Sequence, residues 1–466
     1  MNTPDRPVPV PASDPRQRAR VVATVMIATI STILSSTIVN VAFPAMMQEL
    51  RVGHDTVQWV STGFLAATTT TMLATAWGIE SFGERRTLAT ALAAFLTGSV
   101  LGACAWSAES LITARVLQGA AAGIVQPLAM VALFRVYPAD ERGRAMSLYG
   151  FGVVLAPAIG PAIGGAIVDA FGWRSIFYLS MPFAIAALAM GWIVLPDTHE
   201  SPRRTFDWRG LALLVASLVA LLNVPIAGHR AGWVSWPLAG LAATGLALAT
   251  AFIRWERRAE SPLLVLRMFG HRAFAAAACV SFAYGLGLFG TTYLVPVFVQ
   301  DIAAYNATSA GYLLLPPGLA LAAAIALGGR LTDRVDTRYV IVAGLALFSL
   351  SSLLLAFSGA QTGFWWLAAW LVIGRMGLGM LMPALNVGAV AALPPADLAY
   401  ASSAVNFVRQ LGGAVGVNVL AVILEWRLGV HGPAAAASAF HECFALVTLA
   451  FAVAIIPAWS VRKSGR

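Results

Sequence analysis

Two short stretches place acidic and basic side chains at matching positions. AWGIESFGERR occupies residues 76–86 and GGRLTDRVDTR occupies 328–338. Setting Glu80 on Asp333 also aligns Arg85 with Arg338, an offset of 253 residues. Carboxylates and guanidiniums at this spacing do charge-pairing chemistry. Glu80 and Asp333, with Arg85, Arg86 and Arg334, are expected to form charge contacts that hold one side of the molecule closed. Such contacts bias an equilibrium only if they are made in one state and broken in the other. Arg115 is a different case. It lies inside an apolar run, where a charge is expensive and marks a functional position by default. Arg375 and Arg409 also fall in apolar runs, although an arginine can snorkel toward an interface. Gln126, eleven residues past Arg115, is placed to line the same cavity. Asn40, Asn406 and Gln410 either meet a bound molecule or bond a neighbouring helix. Phe64, Tyr149, Phe151, Tyr284, Phe289 and Tyr293 could line a broad apolar wall that accepts bulky cations by dispersion and cation–π contact.

The remaining chemistry-bearing residues point to no reaction. The six histidines are scattered, and His441 beside Glu442 has no second histidine at helical metal-ligand spacing. Cys104, Cys279 and Cys443 sit in or near apolar runs and read as small apolar residues. No G-x-x-x-x-G-K-S/T loop occurs, which excludes ATP hydrolysis by this chain. The G-x-G-x-x-G pattern at 285–290 has no preceding strand and is discarded. No nucleophile–base set is clustered, so neither an enzyme nor a cofactor or metal site is expected.

The elements that position these residues follow from composition. Of 466 residues, 59% are hydrophobic and 11% charged, against about 25% charged in a soluble domain. A soluble enzyme, a disordered chain and a nucleic-acid-binding protein are excluded. A span needs roughly 20 mostly apolar residues. Fourteen such runs occur, at about 21–43, 57–79, 87–107, 109–134, 145–168, 174–195, 210–228, 233–253, 273–299, 307–329, 339–358, 363–388, 399–424 and 440–460. They must be helices, because an open strand leaves its backbone unsatisfied in lipid. With the N-terminus inside, 23 of the 30 basic residues fall in inside segments, 4 outside and 3 within spans. That positive-inside bias puts both termini in the cytoplasm and the chain in the cytoplasmic (inner) membrane. The net charge of +9 therefore serves topology and not nucleic acid. The first apolar run is too long for a signal-peptide core.

Each of the two related loops follows the second span of a six-span block once the seventh and eighth spans are set aside. The expected all-α membrane fold is thus 6 + 2 + 6 with pseudo-twofold related halves. A cytoplasmic tail covers 1–20, the first bundle 21–200, the inserted pair 201–258, and the second bundle with a short tail 259–466. In the fifth span, Pro157 and Pro161 remove backbone donors and bend the helix. Gly160, Gly164 and Gly165 give it a small face that a neighbouring helix can approach closely. Internal repeats are characteristic of secondary transporters, with the binding site at the repeat interface near the midplane.

Further motifs carry a family resemblance along nearly the whole chain. They are LSSTIVNVAFP (34–44), QWVSTGFL (58–65), ARVLQGAAAG (114–123), GVVLAPAIGPAIGG (152–165), GWRSIFYLSMP (172–182) and VRQLGGAVG (408–416). In this order they resemble the major facilitator superfamily, specifically its fourteen-span drug:proton antiporters of the EmrB/QacA type. The resemblance implies alternating-access efflux of amphipathic small molecules in exchange for protons. It implies a role for Arg115 in proton coupling or substrate passage, and an antiporter motif at Pro157, Gly160, Pro161, Gly164 and Gly165. In a two-membrane bacterium, such proteins often work with a periplasmic adaptor and an outer-membrane channel. The family usually has Asp where this chain has Ser35, and no Asp or Glu falls in the middle of any span. Glu425, at the outer end of the thirteenth span, is the first choice for a proton-carrying carboxylate, since partial shielding from water favours the protonated form. Without a carboxylate in span 1, neutral or anionic substrates gain ground over dications. A dedicated exporter of one metabolite, and a sensor or scaffold without transport, are the rival readings.

Overall fold

The computed structural model describes residues 14–52, 54–197, 205–231, 235–303, 307–391, 393–431 and 435–461. Most of the predicted N-terminal tail and all but Val461 of the C-terminal one lie outside them. Fifteen α-helices and no strand occur among the described residues. In the first half these are α1 Pro15–Ile38, α2 Phe43–Leu50, α3 His54–Thr71, α4 Ala74–Ala103, α5 Ala108–Val136, α6 Arg142–Phe171 and α7 Ser175–Val194. A pair follows, α8 Trp208–Ala231 and α9 Trp236–Glu256. The second half holds α10 Arg272–Asp301, α11 Ala307–Arg334, α12 Thr337–Ala356, α13 Phe364–Ala391, α14 Leu398–His431 and α15 Ala436–Ala458.

Local chemistry sets several of these boundaries. Asp14 caps α1 by accepting from Arg16 N at 3.2 Å, with Pro15 at the first helical position, where its missing N–H goes unused. Ser107 and Ser110 form a reciprocal capping box at the start of α5. The loop 76–86 turns at Gly83, whose φ of 78° is open to a residue without Cβ. At the equivalent place in the second copy stands Asp336, which instead caps α12 by accepting from Arg338 N at 3.1 Å. The two copies reach the same turn by different chemistry.

The packing order repeats between halves. α3, α4 and α1 pack on α5, as α11, α12 and α10 pack on α13. α1 packs on α6 and α7, as α10 packs on α14 and α15. The halves meet where α6 lies on α11 and α13, and where α14 lies on α5, α4 and α3. α8 and α9 pack on each other, and α8 also touches α14. Hydroxyls tie α3 to α5: Thr68 donates to Gly119 O at 3.0 Å and Thr71 to Ala120 O at 2.9 Å. Such bonds join helices where no hydrophobic driving force operates between them.

Eleven stretches of the described helices are long and apolar enough to cross a membrane. α3 is not among them. α3 carries Gln58, Ser61, Thr62 and four threonines at 68–71, which dilute its hydropathy. Length and hydropathy among the described residues thus supply fewer than the fourteen runs read from the sequence.

On α6 the glycine face meets α1. A methyl group added at Gly164 would land on the Ile38 side chain, and one at Gly160 would come within 2.8 Å of Thr37 Oγ1. At Gly165 the nearest atom would be Val41 Cγ1 at an ordinary 3.6 Å. α6 continues through 157 and 161, whose side chains are not among those described. Gly164→Ala should destabilise the protein by about 1–3 kcal/mol through overpacking, while Gly165→Ala should stay within about 0.5 kcal/mol. Thermal denaturation in detergent measures both. Equal stability of the two variants would rule out close α1–α6 contact at Gly164.

Candidate functional site

Arg115 organises the first half. It is 1% exposed, on the second turn of α5. Its Nε donates to Val60 O at 3.2 Å. One terminal nitrogen donates to Ser35 Oγ at 2.9 Å and to Gln118 Oε1 at 2.8 Å. Gln118 passes the chain on, donating to Ser99 Oγ at 2.8 Å. The guanidinium stacks 4.2 Å from the centroid of the Phe64 ring. Arg115 and its acceptor Gln118 together link α1, α3, α4 and α5. Its second terminal nitrogen is buried with no hydrogen-bond partner, and none of its described contacts is a carboxylate. Phe64, expected to line a cavity wall, is buried beneath Arg115 instead. Ser99 and Gln118 were not singled out in the sequence, though Gln118 follows Arg115 at i+3, which is contact spacing on a helix.

A second cluster lies where the halves meet. Asn406 is buried on α14, donates to Ser402 O at 2.9 Å and approaches Met130 Sδ of α5 at 3.7 Å. Its carbonyl oxygen accepts from Arg409. Arg409 lies within electrostatic reach of two buried phenols, Tyr149 of α6 and Tyr284 of α10. Arg375 of α13 also reaches Tyr284 and donates to Thr292 at 3.3 Å. The structure thus brings Tyr149, Tyr284, Asn406 and Arg409 together, and adds Arg375. Gln126 is half-buried on α5. Asn40 is exposed beyond the end of α1 and accepts from Ser61 at 2.7 Å.

The carboxylates of the repeated loops both bridge the halves. Asp333 receives Gly143 N at 2.8 Å and Arg144 N at 2.9 Å. It sits on the N-terminus of α6, where unpaired N–H groups and the helix dipole attract an anion. Glu80 accepts from Tyr400 Oη at 2.7 Å, near the N-terminus of α14. The arginines go elsewhere. Arg85 and Arg86 pair with Asp197 beyond α7, within their own half, and Arg85 also donates to Leu195 O at 2.8 Å. Arg334 ends α11. Asp333 thus engages backbone donors and Glu80 a phenol across the halves, while Arg85 and Arg86 engage Asp197.

Other bonds between the halves lie at the same, arginine-rich end. Ser147 donates to Ile325 O at 3.0 Å, Ser402 to Pro127 O at 3.1 Å, and Asn386 approaches Met146 Sδ at 3.8 Å. At the opposite end, each half bonds to itself among the described residues. Glu49 of α2 accepts from Trp173 Nε1 at 2.8 Å and pairs with Arg174. Hydrogen bonds from Arg174 and then Trp173 hold the Glu49 carboxyl below its usual range. In the second half Arg427, His431 and Glu442 form one cluster, and His441 meets Ser358 O. Glu425 is exposed near the end of α14. Two surface grooves along α8 and α9, one lined by Trp208, Val215 and Leu241, touch none of these site residues.

Comparison with known proteins places this geometry. A family model described as Major Facilitator Superfamily matches residues 25–417. The chain is 31% identical over 441 residues to a multidrug resistance protein B homolog of Mycobacterium tuberculosis, covering 91% of this chain and 82% of that one. It is 30% identical to the multidrug export protein EmrB of Haemophilus influenzae, covering 87% and 80%. An uncharacterized MFS-type transporter of Bacillus subtilis, YcnB, matches at 27% over 97% of both chains. Among solved structures, the human organic anion transporter MFSD10 superposes with a TM-score of 0.69 at 15% identity, covering 96% of this chain and 100% of that one. The proton:xylose symporter XylE superposes with a TM-score of 0.68 at 11% identity, covering 94% and 95%. At these identities the two structures speak to the fold alone.

Proposed function

The chain belongs to the Major Facilitator Superfamily, and from that premise we propose that it exports amphipathic small molecules by alternating access, in exchange for protons. The curated relatives named for multidrug resistance and export support this direction and substrate type. In this reading fourteen spans cross the cytoplasmic membrane. α1 supplies the first, α3 with the start of α4 the second, the rest of α4 the third, and α5–α15 the remainder. They divide as 21–200, 201–258 and 259–466. The arginine-rich end is cytoplasmic, as positive-inside statistics require, and so are both termini.

The observation that carries the reading is where the halves are bonded. Cross-half hydrogen bonds gather at the arginine-rich end, while the bonds described at the other end stay within each half. That is the state of an exporter closed to the cytoplasm and open outward, ready to release substrate and accept a proton. Glu425, exposed near the outer end, is assigned the incoming proton, and Arg115 the coupling charge. Opening the cytoplasmic side must break the docking of Asp333 and Glu80, which makes these two carboxylates the gate. Where two membranes are present, an adaptor and outer channel would continue the path.

The test is flux in liposomes holding the purified full chain. Ethidium and anilinonaphthalene sulfonate, one cationic and one anionic amphiphile, are followed under an imposed pH gradient. Movement of at least one dye, reversing when the gradient is reversed, is expected. If a folded preparation moves neither dye, the exporter reading falls. Movement indifferent to the gradient removes the proton exchange.

A further inference from the structure

The charges inside the helices are of one sign. The described helices hold acidic side chains only within about two turns of an end, or of the Gly83 break in α4. Arg375 and Arg409 lie about three turns from the nearer ends of α13 and α14. Arg115 adds a third guanidinium, buried on the second turn of α5. Among the described residues, none of the three is paired with a carboxylate. The described partners are hydroxyls, an amide or backbone: Ser35, Gln118 and Val60 for Arg115, Thr292 for Arg375, and Asn406 for Arg409. A membrane-embedded charge without a counter-ion is expensive and faces a cavity or another charge. Arg375 and Arg409 are only half-buried, and both lie within electrostatic reach of the Tyr284 phenol of α10. Two buried phenols, Tyr149 and Tyr284, lie within electrostatic reach of Arg409.

Resting on the exporter reading, we infer that this transporter selects organic anions: an amphipathic carboxylate or sulfonate held by Arg375 and Arg409, with Arg115 adding a fixed positive charge in the first half. A guanidinium presents a planar fork of donors matched to carboxylate geometry. Fixed donors of one sign in a low-dielectric cleft also raise the local concentration of the opposite charge. The same charges disfavour a lipophilic cation, which would meet guanidiniums and, among the described residues, no carboxylate paired with them. Selectivity thus comes as much from repulsion as from attraction.

Parallel flux measurements with anilinonaphthalene sulfonate and ethidium test the assignment. The sulfonate should move at least tenfold faster than ethidium. The double variant Arg375→Gln/Arg409→Gln should lower sulfonate flux at least tenfold. Ser35→Asp, which sets a carboxylate beside Arg115, should raise ethidium flux relative to sulfonate. Thermal unfolding of the unaltered protein gives a readout that needs no variant: sulfonate should raise the midpoint and ethidium should not. Ethidium carried or stabilising in preference to sulfonate overturns the anion assignment and leaves the exporter standing. Stabilisation by neither dye also overturns it. Flux of neither dye, with the protein folded, overturns the exporter reading itself.

Discussion

Asp333→Asn should open the arginine-rich end more than any other single change at the gate. The carboxylate takes two backbone N–H donors at once, at 2.8 and 2.9 Å, from the first turn of α6. Charge-assisted bonds of this kind contribute about 1.5–3 kcal/mol each to a folded contact, and the helix dipole adds about 0.3–1 kcal/mol. An asparagine keeps one acceptor oxygen and turns an N–H₂ toward the second donor. A loss of about 2 kcal/mol in the closed state shifts the closed-to-open ratio roughly 30-fold, at 1.4 kcal/mol per factor of ten. Met146 reports on this shift. It is 1% exposed and touches Asn386 of the other half. In a chain whose three native cysteines are replaced, Met146→Cys should react with a thiol reagent added from the arginine-rich side at least tenfold faster in the Asp333→Asn background. Glu80→Gln should give a smaller acceleration. It accepts from a phenol, and a glutamine oxygen can still accept there. Equal rates with and without Asp333→Asn would remove Asp333 from the gate, and a larger effect from Glu80→Gln would reverse the ranking.

This ranking depends on partners that the sequence did not reveal. The offset of 253 residues found Asp333 from Glu80, because side-chain types repeat visibly. It could not find Gly143 N or Arg144 N, since backbone donors leave no mark on residue identity. Tyr400 was missed for a different reason. It stands 253 residues after Ser147, and both donate across the interface, but a serine and a tyrosine do not look alike in an alignment of halves. Arg85 and Arg86 were legible as charges and not as partners: Asp197 lies more than a hundred residues away, beyond any local pattern. The helices themselves were legible because lipid imposes length and apolarity directly. Where polar residues dilute the signal, as with the threonines of α3, the same rule weakens. Arg115 announced itself as a lone charge in an apolar run, yet Phe64 did not announce that it lies beneath it. An aromatic residue at helical spacing serves equally well as a wall or as a stacking partner.

Arg115→Met should separate stability from function most sharply. Guanidinium burial at this site carries a desolvation penalty of several kcal/mol, which opposite charge normally offsets. Here Arg115 is 1% exposed, bonds only to neutral groups and leaves one nitrogen unpaired. A methionine of similar length fills the space against Phe64 with a favourable sulfur–aromatic contact. What it leaves behind is small. Ser35 can turn its hydroxyl to its own helix, as Ser36 does to Ile33 O at 2.7 Å. Gln118 keeps its bond to Ser99 and loses one partner, worth about 1–3 kcal/mol. Replacing buried charge by apolar volume is often neutral or stabilising by about 1–4 kcal/mol, so the variant should unfold within about 2 kcal/mol of the parent. Gradient-driven flux should nonetheless fall at least 100-fold, because the fixed charge of the first half is gone. Arg115→Lys should fall between them: an ammonium keeps the charge and lacks the planar fork that spans Ser35, Gln118 and Val60. Unfolding and flux must be measured on the same preparation. A variant that loses both together would make Arg115 a structural tie between helices. A variant that keeps flux would show that coupling needs no charge at this position. Stability kept with flux lost would assign the buried charge to transport and not to the fold.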